Sequence, residues 1–262
     1  MKKVAIIYDF DHTLIKGDMQ EGGFINSFGL SVSEYWKNVD KLMINSNMDS
    51  ILAAMYYPVL KAKELDLQYD KAFLEKYGRE ISTFYPGVGE WFDEINSYGK
   101  NLGLDIEHYV ISSGFKEMID NCKIAKHFKG VFACSYHYGK DGGVLWPSYV
   151  VNYTQKTQYL SRIQKGCFDV LYESVEINRL VEENDQYIPF DRMIYIGDGV
   201  TDVPCMRIVK QNGGLSVCVY DLKGKSKADS LLKDGRVNVA VEADYRLGSS
   251  LDNSIKEFLE KI

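Results

Sequence analysis

Two carboxylates and a hydroxyl alternate in Asp9-Phe10-Asp11-His12-Thr13. Directly before them runs Val4-Ala5-Ile6-Ile7-Tyr8, apolar and rich in β-branched residues, the signature of a buried strand. The acids therefore stand at the strand's C-terminal tip, where open α/β sheets bind their ligands. Three more groups of the same kind follow. Tyr109-Val110-Ile111 leads into Ser112-Ser113-Gly114, where hydroxyls and free backbone N–H groups suit an oxyanion or phosphate. Met193-Ile194-Tyr195-Ile196 leads into Gly197-Asp198-Gly199-Val200-Thr201-Asp202, a glycine loop with two acids one helical turn apart. Lys156 falls in the first turn of an expected helix, an unfavourable place for a cation beside the helix dipole.

Each group has a plain structural reading: Ser-Gly turns follow many strands, Asp202 suits a helix cap, and a lysine is usually solvated. Taken together they describe a site. Two carboxylates about 4 Å apart repel by about 4 kcal/mol at an effective dielectric of about 20. Asp9, Asp11, Asp198 and Asp202 at one sheet edge, with one lysine, call for a cation. All-oxygen ligands favour Mg²⁺ over Zn²⁺, and the sequence offers no His/Cys cluster as an alternative.

The elements that must position these groups alternate between strand and helix. Strands are predicted at 106–111, 131–135, 192–196, 215–220 and 237–241, and helices at 88–99, 115–121, from Thr154 as N-cap, 201–209, 226–232 and 249–260. That alternation predicts an α/β fold, a Rossmann-like parallel sheet with helices on both faces. Residues 17–85 break it. Met48, Ile51, Leu52, Met55 and Val59 make one helical face, and Ala72, Phe73, Tyr77 and Ile81 another. The expected organisation is a core of 1–16 and 86–262 with an all-helical insertion at 17–85, hinged at Gly17 and Pro86-Gly87. A β-hairpin is predicted over 135–152, turning at Gly139–Gly143, and one helix within a polar insertion at 166–191.

Bulk composition bounds the function. The 262 residues carry a net charge of −6 with no Lys/Arg cluster, which argues against nucleic acid as partner. The apolar run after Met1-Lys2-Lys3 stops at Asp9, too short for a signal h-region, and no stretch approaches a membrane span. Cys122, Cys134, Cys167, Cys205 and Cys218 are odd in number and widely spaced, as expected of reduced, buried thiols in a cytoplasmic protein.

In this order the groups resemble the four motifs of the haloacid dehalogenase (HAD) superfamily of phosphohydrolases: DxDxT at Asp9, Asp11 and Thr13, the strand serine Ser112, the helix lysine Lys156, and GDGxxD at Asp198 and Asp202. The resemblance implies a phosphatase acting on a small phosphorylated metabolite. Asp9 would be nucleophile, Asp11 general acid and base, and Lys156 a bridge to the transferring group. Thr13, Ser112, Ser113 and Gly114 would hold the phosphate. Mg²⁺ would be bound by Asp9, the Asp11 carbonyl and Asp198, with Asp202 close behind. The insertion at 17–85 is similar to the C1 cap of the phosphoserine-phosphatase-like branch, and the 135–152 hairpin to its flap. That branch places a Glu for the substrate ammonium where this chain has Asp18, and a cap Arg where Arg79 is the only candidate. Both departures argue against phosphoserine. His12 reads as a bystander, Phe10 as packing or a substrate contact, and Tyr136, His137 and Trp146 as core or rim. Phosphotransfer through the same intermediate, and a non-catalytic protein that keeps the fold, stay open as alternatives. Oligomeric state is not legible.

Overall fold

The computed structural model describes residues 1–169 and 178–262. It begins with β1 (Lys2–Tyr8), whose last five residues are buried because the strand lies mid-sheet with cover on both faces. Helices follow: α1 (Gly23–Ser27), α2 (Val32–Ser46), α3 (Ser50–Glu64) and α4 (Lys71–Glu80). Polar side chains set three of their starts. Ser31 and Glu34 form a reciprocal capping box on α2, Asp49 accepts the N–H groups of Ile51 and Leu52, and Asp70 that of Phe73.

Strand–helix alternation then resumes with α5 (Val88–Asn101), β2 (Leu104–Phe115), α6 (Lys116–Ile119), β3 (Phe128–Tyr138), β4 (Val144–Tyr149) and α7 (Lys156–Lys165). After residue 178 come β5 (Met193–Gly197), α8 (Val203–Gln211), β6 (Leu215–Tyr220), α9 (Lys225–Lys233), β7 (Val239–Glu242) and α10 (Ser250–Leu259). The strands of the described residues form one sheet in the order β4-β3-β2-β1-β5-β6-β7, parallel except for β4, which pairs antiparallel with β3. The α/β, Rossmann-like expectation is met. Within the 166–191 insertion, 3₁₀ turns cover Glu183–Asp185 and Phe190–Arg192, and residues 170–177 of the segment expected to carry one helix lie outside the described residues.

Two local expectations are corrected. The second strand does not stop at Ile111: β2 runs on through Ser112-Ser113-Gly114 to Phe115, with a register shift against β3 between Ile111 and Phe115. That irregularity lets the phosphate-type residues belong to a strand while breaking its ladder. Thr154 does not cap α7. A 3₁₀ turn over Tyr153–Gln155 leads into the helix, the Asn152 carbonyl accepts from the Gln155 and Lys156 N–H groups, and no side chain caps the start.

Beneath β1 a buried hydrogen-bond chain ties strand to helix. Trp91 Nε1 donates to Tyr8 Oη at 2.8 Å, Tyr8 Oη lies 3.0 Å from His108 Nδ1, and His108 Nε2 lies 2.9 Å from Asn96 Oδ1. A neutral imidazole satisfies the chain, with Nε2–H donating to Asn96 and Nδ1 accepting from Tyr8. Burial pushes the His108 pKa down to about 3.

Contacts on two sides join residues 23–80 to the rest. Gly78 of α4 sits so close to α6 that a Cβ there would lie 2.4 Å from the Met118 carbonyl oxygen. On the other side, Tyr136 of β3 donates to the Met55 carbonyl at 2.7 Å, and the Val144 N–H to the Tyr69 carbonyl at 2.9 Å. Tyr136 is therefore core, while Trp146 stands on the rim against Tyr56.

Candidate active site

The sheet order sets the site. β1 lies between β2 and β5, so the three strands that end in acids, serines and the glycine loop are neighbours. β1 ends where the Asp9 N–H donates to the Ile196 carbonyl at 2.9 Å. The chain then turns tightly, with the Phe10 carbonyl accepting from the N–H groups of Thr13, Leu14 and Ile15 and His12 held at φ 55°. Phe10 is fully buried and packs. Tyr245 Oη closes the turn from the far end of the chain, donating to the Thr13 carbonyl at 2.9 Å.

Lys156, the first residue of α7, is fully buried. Its ammonium donates to Asp9 Oδ2 and to Asp202 Oδ1, each at 2.8 Å. A buried lysine at a helix N-terminus costs desolvation and opposes the dipole, and two carboxylates offset both. Asp202 takes two further donors, Tyr195 Oη at 2.8 Å on Oδ1 and the Gly199 N–H at 3.2 Å on Oδ2. It stands just before α8 but makes no side-chain cap bond, so its carboxylate serves Lys156 rather than the helix end. Asp198 is less enclosed, and Lys227 of α9 approaches its Oδ2 at 3.6 Å.

Carboxylate oxygens of Asp9, Asp198 and Asp202 lie within 4.8 Å of one another. Three acids against one buried lysine leave an excess of negative charge, and the all-oxygen donor set fits a divalent cation such as Mg²⁺. Asp202 has already spent most of its lone pairs on Lys156, Tyr195 and Gly199. Asp9 and Asp198 are thus the better direct ligands.

On the β2 side, the Gly114 N–H donates to Ser112 Oγ at 3.0 Å. Among the described residues, the buried hydroxyls of Thr13 and Ser113 have no hydrogen-bond partner. Asp11 Oδ1 accepts the Met19 N–H at 2.8 Å. Asp18 faces His12 Nε2 at 3.5 Å, at the partly exposed rim.

Electrostatics separate the two acids of the first motif only in degree. Burial, then the neighbouring Asp202, raises the Asp9 pKa to about 7, against the pull of Lys156. Asp11 is held well above its ordinary range by loss of water and by Asp18 and Asp9. An upward shift of this kind is what a general acid requires. Asp18 in turn raises the His12 pKa to about 9.

No protein-family profile matches the chain. An uncharacterized protein of Borreliella burgdorferi is 29% identical over 97% of this chain and 95% of its own. A HAD-family hydrolase from Salmonella enterica subsp. enterica serovar Typhi superposes with a TM-score of 0.58 at 15% identity, over 92% of this chain and 67% of that one. A phosphoserine phosphatase, solved as a phospho-aspartyl intermediate analogue, gives 0.55 at 20% identity over 98% and 99%. This chain shares the fold of these two enzymes.

Against that HAD fold, four residues that sequence reasoning passed over stand at the site. Tyr195 lies inside an apolar run, where an aromatic reads as core, yet its hydroxyl grips Asp202. Lys227 has no motif, and His12, taken as a bystander, is the partner of Asp18. Met19 works through its backbone and a distant glycine, for which no sequence signal exists. Among the described residues no helix is long and apolar enough to cross a membrane.

Proposed function

We propose that this chain is a Mg²⁺-dependent phosphatase that hydrolyses a small phosphorylated metabolite through an aspartyl-phosphate on Asp9. The observation that carries this reading is the fully buried Lys156, bridging Asp9 and Asp202 at 2.8 Å each. A lysine is buried against two acids at one end of a sheet for electrostatic work, and phosphoryl transfer is chemistry done chiefly by charge and position.

Asp9 attacks phosphorus; a carboxylate is nucleophilic without a separate base. Asp11 delivers its proton to the leaving oxygen as the P–O bond breaks, then takes one from the water that cleaves the acyl phosphate. Thr13, Ser113 and the Ser112 hydroxyl, oriented by the Gly114 N–H, hold phosphate oxygens, and Lys156 offsets charge between nucleophile and phosphoryl group. Asp9, the Asp11 carbonyl and Asp198 would hold the metal, which screens the phosphate when bound; Asp202 fixes Lys156 from behind. Residues 17–85 act as a cap that excludes water and chooses the leaving group. Phosphoserine is not favoured: Arg79 is exposed and directed to Asn121 and Glu75, so no arginine of the cap is set aside for a substrate carboxylate.

The test is a panel of phosphorylated metabolites and p-nitrophenyl phosphate, turned over with Mg²⁺ by wild type and Asp9→Asn. Turnover that vanishes in the variant supports the reading. Equal residual activity in both removes Asp9 as nucleophile.

A further inference from the structure

Met19 meets the site at three points. Its N–H donates to Asp11 Oδ1 at 2.8 Å, and its Sδ accepts the Phe115 N–H at 3.2 Å. Its Cε lies 2.0 Å from the point that a Cβ on Gly114 would occupy, and Asp11 Oδ2 lies 3.1 Å from the same point. The terminal methyl thus fills the notch left by a glycine, beside the second oxygen of the acid. The residue is buried at 4% exposure, although it opens a 3₁₀ turn whose first N–H groups would otherwise face solvent.

We propose that Met19 is a positioning residue for Asp11, acting through this notch; the proposal rests on the phosphatase reading above. The thioether, seated between Gly114 and Phe115, fixes the height of the Met19 backbone over the strand. The N–H then pins Oδ1 as an acceptor, which leaves Oδ2 to carry the proton that a general acid delivers. Oδ2 is the oxygen beside the methyl, facing the Gly114 strand end where phosphate is held. As the Asp9–phosphorus bond forms and the bond to the leaving oxygen breaks, that proton passes from Oδ2 to the leaving oxygen. The methyl keeps water from competing for it. With the side chain shortened, the N–H keeps its chemistry but loses its anchor, and the proton is delivered from a wandering carboxyl.

A leaving-group comparison tests this. An alkyl phosphate needs a proton as it departs, whereas p-nitrophenolate leaves well without one. In Met19→Ala, kcat/KM, which reports the steps through departure of the leaving group, is expected to fall about tenfold or more for an alkyl phosphate, part of the roughly 10²–10⁴ that acid–base help supplies, but only about threefold or less for p-nitrophenyl phosphate. Circular dichroism and the thermal midpoint establish that the variant is folded. If it is not, Met19→Leu carries the test: it keeps the volume, loses the sulfur acceptor, and should show the same bias at about threefold. Equal losses on both esters, or no loss on either, overturn the proposal and leave Met19 as packing. A wild type that hydrolyses neither ester overturns the phosphatase reading itself, and this proposal with it.

Discussion

Replacing Lys156 by Met keeps the length and volume of the side chain and removes only its charge. Asp9 and Asp202 are then left facing each other with oxygens within 4.8 Å. At that separation two carboxylates repel by about 3.5 kcal/mol at an effective dielectric of about 20, and breaking a buried ion pair generally costs about 3–5 kcal/mol. The fold should survive with its midpoint lowered by roughly 6–20 °C, at about 2–4 °C per kcal/mol for a chain of this size. The loss should depend on pH. In the wild type the folded Asp9 pKa is raised to about 7, above its value in an unfolded chain. A carboxyl raised in this way destabilises the fold as pH rises: the cost is absent below the unfolded value of about 3.9 and complete above the folded one. Without the lysine the folded value moves higher still, so the cost deepens and extends to higher pH. Urea unfolding of both proteins without metal, at about pH 5 and about pH 8, should therefore show a small gap in the acid and a gap of several kcal/mol in the base. A gap of the same size at both pH values would refute the reasoning, because it would mean that Lys156 contributes packing and not charge.

Two further outcomes follow from contacts nearby. Lys227→Met removes the cation that faces Asp198 at 3.6 Å, so Mg²⁺ should bind about two- to fivefold more tightly, as expected for a half-exposed pair; calorimetry showing an unchanged or weaker affinity contradicts this. Gly78→Ala would ordinarily strengthen a helix by about 1 kcal/mol, but here the new methyl meets the Met118 carbonyl at 2.4 Å. The net effect should be a loss of about 1–3 kcal/mol as α4 is forced off α6, and a thermal midpoint at or above wild type speaks against the close contact.

What could be read from the sequence followed from where apolar runs stop. Val4–Tyr8 ends at Asp9 and Met193–Ile196 at Gly197, and each stop places an acid at a strand tip. Lys156 became legible only in company, because a first-turn lysine alone looks solvated and its burial depends on acids far away in the chain. Ser112–Gly114 were assigned to a turn because a serine–glycine sequence seldom continues a strand, yet the sheet tolerates them through a register shift. Thr154 looked like a cap because local chemistry favours it, but the preceding 3₁₀ turn had already supplied the partners. Tyr195 and Met19 were hidden for another reason. Their roles depend on a hydroxyl reaching across a loop and a methyl entering a notch, distances that exist only once the strands are side by side.

The chain from Trp91 through Tyr8 and His108 to Asn96 has an experimental consequence. Its imidazole is held neutral down to about pH 3 and burial raises the Tyr8 phenol, so the scaffold under β1 contributes no titration of its own across the range where proteins are handled. Asp9, Asp11 and His12, whose pKa values are all raised by their surroundings, belong to the first loop above it. In a pH series on the intact protein, the hydrogen-bond chain beneath β1 thus stands as a silent reference while the first loop above it changes charge.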